Sequence, residues 1–142
     1  MMVIPHKTKK ISATIIIDNE TLVKHMTAER LGGTNVNLNT RGEYYDFIVQ
    51  RVCKILDDAN ADSTKFQIIP AYDIRYTTRY EFNSYAVVIS AIPNPEKYAT
   101  PHRVDEFVDK CKDIMLTIAD AFNQSSIDIE INDVLVHTYR HK

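Results

Sequence analysis

Two stretches limit the fold more than anything else in the chain. KISATIII (10–17) and YAVVISAI (85–92) are apolar or β-branched at positions of both parities. A strand that is apolar on both faces belongs where both faces are covered. Two other stretches alternate. In YDIRYTTRYEF (72–82), Tyr72, Ile74, Tyr76, Thr78, Tyr80 and Phe82 form one row, and Asp73, Arg75, Thr77, Arg79 and Glu81 form the other. IDIEI (127–131) alternates strictly. Charged rows suit sheet edges, where they discourage pairing with other chains. The expected sheet therefore has 10–17 and 85–92 at its centre and 72–82 and 127–131 at its edges.

The segments between follow a helical period. Thr40-Arg-Gly-Glu43 matches a capping box, and Tyr45, Ile48, Val52, Ile55, Leu56 and Ala59 make one face of a helix over about 43–60. Thr100 and Pro101 suit the cap and first position of a second long helix, over about 101–123. Its inner face carries Val104, Phe107, Val108, Cys111, Ile114, Met115, Ile118, Ala121 and Phe122. After the first strand, Asp18 or Asn19 caps a short helix with a thin apolar stripe, and Gly32–Gly33 ends it. KFQII (65–69) starts a strand that Pro70 interrupts, Asn83–Ser84 is the expected hairpin turn, and Asn132–Asp133 makes a turn or bulge before VLVHTY (134–139). Without the 18–42 insertion, the order is the split βαβ pattern of a ferredoxin-like α+β domain, an antiparallel sheet with two long helices on one face. The 142 residues fit a single domain, with 1–10 as an N-terminal arm.

Composition mostly excludes functions. A net charge of −2 gives no global attraction to nucleic acid or anionic membrane. Only HKTKK (6–10) and HTYRHK (137–142) are locally basic, and they form one patch if the ends meet. No apolar run is long enough to span a bilayer. Cys53 and Cys111 sit in helical patterns without zinc or CxxC spacing, as buried thiols of a reducing, cytoplasmic compartment. The only glycines are Gly32, Gly33 and Gly42, so no phosphate-cradling loop and no GxSxG elbow exists. His137 and His141 lie about 13 Å apart on a strand, too far for one metal ion, and Asp57, Asp58 and Asp62 lack the calcium-loop pattern. His102 reads as a surface or capping residue. The sequence therefore predicts no catalytic residue, no cofactor and no metal site, and a protein that is not an enzyme.

At about 3.3 Å per residue, the strand 72–82 outruns a small sheet, so its hairpin tip is expected to project. Arg75, Arg79, Tyr80, Phe82 and Tyr85 are then interface candidates. The alternative is a nucleotide- or nucleic-acid-binding regulator that uses Arg75, Arg79 and Arg140. Against it, the arginines lie in the row opposite the tyrosines and share that row with Asp73 and Glu81.

From Glu43 onward the chain has a helix, the hairpin YDIRYTTRYEFNSYAVVISAI, a proline-containing loop, the helix HRVDEFVDKCKDIMLTIADAF and a final strand. That order of elements resembles phage tail-terminator and tail-completion proteins, whereas the N-terminal strand and short helix depart from it. The resemblance implies a ring subunit of a virion neck or tail, contacting copies of itself and other assembly proteins through hairpin and arm. It carries no catalytic residues. The resulting expectation is a non-enzymatic, homo-oligomeric assembly protein.

Overall fold

A computed structural model describes residues 2–29, 41–61, 65–76, 81–124 and 127–141, with the side chains of 28–29, 73–76 and 81–83 excepted. It is α+β: β1 (Met2–Asp18), α1 (Asn19–Glu29), α2 (Arg41–Asp58), β2 (Gln67–Tyr76), β3 (Glu81–Ala91), α3 (Pro101–Ala121) and β4 (Asp128–Arg140). The four strands form one antiparallel sheet in the order β2-β3-β1-β4. β1 and β3 hold the centre, as their apolar character suggests, although only one face of β1 is covered: Thr14 and Ile16 on its other face are exposed.

Cross-strand rows build the core. Ile17, Tyr85 and Tyr72 stand in one row; Ala13 stands between Ile89 and Ile129 in another. Ile11, Ala13, Ile15 and Ile17 are buried together with Leu22 and Met26 of α1, Ile48, Val52 and Leu56 of α2, and Val108, Met115 and Ile118 of α3. Each such large side chain contributes about 1.5–3 kcal/mol by leaving water. The helices thus cover one face of the sheet, and on the other face Ile16 and Ile69 remain exposed.

Short polar side chains end the helices. Asp18 accepts bonds from the Thr21 N–H (2.7 Å) and Thr21 Oγ1 (2.8 Å), which caps α1. These bonds, chiefly that from the Thr21 backbone, hold the Asp18 carboxyl below its ordinary pKa. At the far ends of α2 and α3, Asn60 (φ 57°) and Asn123 (φ 59°) take the left-handed conformation that glycine usually fills. The following Ala61 and Gln124 N–H groups reach back to Leu56 O (2.8 Å) and Ala119 O (2.9 Å). Asparagine tolerates positive φ better than most residues, so these closures need no glycine.

Several expectations change. Pro70 does not interrupt β2; it pairs opposite Val87, and as an edge strand β2 can spare a donor. Asn132–Asp133 is neither turn nor bulge, because β4 pairs with β1 without a break from Asp128 to Arg140. Residues 1–10 are not a separate arm: Met2–Lys10 continue β1 and pair with β4 alone. YDIRYTTRYEF is not one strand. β2 ends at Tyr76, which pairs with Glu81 at the start of β3, so Asn83–Ser84 are inside β3; residues 77–80 lie outside the described residues. The capping threonine Thr40, Gly32–Gly33 and Asp62 lie outside the described residues.

Candidate functional site

Beyond Ile11, β1 leaves the sheet and continues with β4 as a two-stranded ribbon. The first turns of α3 lean against that ribbon. Thr100 Oγ1 accepts from the Arg103 N–H (3.3 Å), and Pro101 opens the helix with the fixed φ it needs. Lys9 stands opposite Asp133 on β4 and its Nζ also reaches Asp105 Oδ1 of α3 at 3.2 Å. Both side chains of that ion pair are substantially exposed, so it is worth about 0–1 kcal/mol. Its effect is geometric, since it pins α3 across the ribbon.

Between ribbon and helix lies a groove of about 540 Å³, within the usual range of small-molecule sites. Pro101, Val104, Val134 and Leu135 give it apolar walls, and Lys7, Lys9, Asp105 and Asp133 give it charges of both signs. Thr8 lies beneath. It is only 6% exposed, and its Oγ1 has no hydrogen-bond partner among the described residues. An unpaired buried hydroxyl costs about 1–3 kcal/mol. The groove is therefore dipolar, with an apolar body, and holds an unmet hydrogen bond in its floor. It suits a ligand that carries both charges on an apolar frame.

The sequence-level candidates lie elsewhere. Arg75 and Phe82 are opposed in the β2–β3 register, which puts Phe82 in the row of Arg75 rather than that of Tyr72. Arg79 and Tyr80 lie outside the described residues. Tyr85 is not at a projecting tip: it is 7% exposed, opposite Ile17 in the core. Its ring packs against Tyr72 (4.8 Å between centroids), Tyr44 (5.0 Å) and Tyr45 (5.9 Å). Burial first, then Tyr44, raises the Tyr85 pKa against the pull of Arg41, which hydrogen-bonds the phenol. Arg41 also covers the Tyr72 ring at 4.2 Å, so this cluster meets its own needs. Arg140 is paired with Glu96, and His102 Nε2 bonds Glu106 Oε1 at 2.9 Å on exposed side chains. The two basic ends do meet, but Asp105 and Asp133 sit among the lysines. Among the described residues no cluster suits a metal ion, and no helix is long and apolar enough to cross a membrane.

Sequence reasoning missed Asp105, Asp133, Val104 and Leu135 as site residues. Periodicity gave Asp105 as an outer-face position, Val104 as an inner-face one and Asp133 and Leu135 as turn or strand positions, and no spacing rule links residue 9 to residue 105.

No family model matches the chain, and no curated protein matches it. The resemblance to tail-terminator proteins thus rests on the order of elements alone. Among solved structures, the chain is similar to a phage SAM lyase in its apo state, with a TM-score of 0.52 and 11% identity over 96% of this chain and 92% of that one. It is also similar to a phage SAM lyase in complex with S-methyl-5′-thioadenosine, with a TM-score of 0.50 and 10% identity over 93% and 89%. At these identities the likeness is one of fold. It overturns the expectation of a non-enzymatic assembly or virion protein, because these two neighbours, alike over nearly their whole length, are structures of an enzyme and not of a virion component.

Proposed function

We propose that the chain is an enzyme that cleaves S-adenosylmethionine, releasing S-methyl-5′-thioadenosine, with the ribbon–α3 groove as its active site. The observation that carries the reading is the near-full-length fold likeness to phage SAM lyase. The groove supports it by chemistry. The substrate is a sulfonium with an ammonium and a carboxylate on one arm and a flat base on the other. Asp105 and Asp133 match its cations, Lys7 matches its carboxylate, and Pro101, Val104, Val134 and Leu135 match its apolar surfaces.

The reaction breaks the bond between the sulfonium sulfur and the γ-carbon of the amino-acid arm. The substrate's own carboxylate oxygen attacks that carbon as the bond breaks and closes a five-membered lactone. Sulfur takes the bonding electron pair and leaves as a neutral thioether, so positive charge disappears from sulfur in the transition state. The apolar wall of Pro101, Val104, Val134 and Leu135 favours that change over the charged ground state. No metal or nucleophile–base pair is required by such a step. This removes the force of the missing motifs: glycine-rich loops and catalytic triads serve other chemistry.

The fold itself is best read as ferredoxin-like with α1 inserted after β1. The strand order β2-β3-β1-β4 and the long helices between β1 and β2 and between β3 and β4 support this.

The test is to incubate the purified chain with S-adenosylmethionine and follow S-methyl-5′-thioadenosine by liquid chromatography. Release well above the spontaneous rate, reduced in Asp105→Asn and Asp133→Asn, is expected. Release at the spontaneous rate overturns the reading. Normal turnover in both variants removes the groove from it.

A further inference from the structure

A second concavity lies on the far side of Tyr98 from the groove, where α2 ends and the middle of α3 passes beneath. It has a volume of about 150 Å³, the size of an apolar cavity known to hold a single benzene ring. Phe66, Tyr98 and Phe107 wall it, and Lys65, Lys97 and Lys110 surround them. The Tyr98 and Phe107 rings meet at 5.0 Å between centroids, tilted by 60°, so they form an angled wall rather than a closed stack. Cys111 lies in the floor. Burial pushes its thiol pKa up to about 12, so the floor is neutral at physiological pH and does not repel an anion.

The charge at this place is one-sided. Among the described residues, no aspartate or glutamate lines the pocket. The ion pairs among the described residues take Lys9, Lys24, Lys112, Arg140 and His102, and none of the three pocket lysines. All three are exposed. Lys97 Nζ sits 5.6 Å above the Tyr98 ring, and the Arg103 guanidinium 6.0 Å from the same ring. Like charges gathered at one opening repel each other, and an anion placed there relieves that repulsion. This stands out in a chain whose net charge is −2. The ribbon groove differs, because there Lys9 pairs with Asp105 and stands opposite Asp133.

We propose that this pocket binds a phosphorylated single-ring aromatic compound, with the ring between Phe66, Tyr98 and Phe107 and the phosphate held by Lys65, Lys97 and Lys110. The ring fills the small apolar cavity, and the dianion takes charge-assisted hydrogen bonds from the lysines. Two sources share this chemistry: a pyrimidine nucleotide and a phosphorylated phenol. The proposal does not depend on the cleavage of S-adenosylmethionine.

Isothermal titration of the full chain with uridine monophosphate, phenyl phosphate, inorganic phosphate and uridine tests it. The two phosphorylated rings are expected to bind at least about tenfold more tightly than phosphate or uridine alone. The tighter of the two identifies the source. Affinity should fall with added salt. A Lys97→Gln/Lys110→Gln double variant, at exposed positions that leave the fold intact, should weaken binding about tenfold or more. Tyr98→Leu should weaken the phosphorylated rings but not inorganic phosphate. No binding by either phosphorylated ring overturns the proposal. So does inorganic phosphate binding as tightly as the rings, or an unchanged affinity in the double-lysine variant.

Discussion

β1 is one strand with two different lives. From Ile11 to Asp18 it pairs with β3, with β4 on its other side as far as Thr14, and its inward residues are sealed under three helices. From Met2 to Lys10 it has a single neighbour, and Met2 and Val3 are 56% and 46% exposed. The same backbone pairing runs through both halves, so hydrogen bonding does not distinguish them. Coverage does. The inner half carries stability, and the outer half, freed from core packing, carries the lysines and the hydroxyl that make a groove. A long strand thus lets one element act as both foundation and site.

The sharpest way to break this comparison is to truncate each half in turn. Ile15→Ala should cost about 2–5 kcal/mol in urea unfolding, because it opens a cavity in a fully buried row. Leu135→Ala on the ribbon, which is 58% exposed, should cost under about 0.5 kcal/mol. Equal losses would mean that the ribbon is buried in solution.

Next in size is the groove. For the proposed cleavage of S-adenosylmethionine, Asp105→Asn should lower kcat/KM by about tenfold, or about 1.4 kcal/mol, with little change in Tm. A fall in Tm that tracks the loss of activity would assign Asp105 to stability instead.

Asp18 marks the exit from the inner half. Asp18→Ala should cost about 1 kcal/mol at neutral pH, by loss of the α1 cap. The Asp18 carboxyl is depressed below its ordinary value of 3.8, so its contribution is present above that pH and is lost as pH falls through the folded pKa. The gap between wild type and variant should therefore close below pH 3.8, as pH-dependent unfolding will show.

The smallest effect is expected at Thr8. Thr8→Val keeps the shape and removes an unpaired hydroxyl, so stability should hold or rise, by no more than about 1 kcal/mol. If ligand satisfies that hydroxyl, KM should rise while Tm holds. A large loss of stability would show instead that the hydroxyl has a partner in solution.

Much of the fold was legible. The two-sided apolar runs 10–17 and 85–92 became the central strands, and the 3.6-residue stripes became α2 and α3. Their signal is periodic and repeated over many residues. Turn positions were less legible. TTRY (77–80), between the paired Tyr76 and Glu81, has no glycine, proline or asparagine to mark a reversal, whereas the Asn83–Ser84 and Asn132–Asp133 pairs that do look like turns are paired strand. Misplacing the reversal moved Phe82 to the wrong row and Tyr85 to a tip instead of the core.

Alone, the sequence determined which segments are strands and helices and which strands are central, because burial imprints a period on local residues. Tertiary structure decided what can act as a site. Lys9 and Asp105 are 96 positions apart, and Lys9 and Asp133 meet only through strand register. Such meetings are set by long-range pairing and by where a helix lands on a ribbon, and neither leaves a local pattern to read.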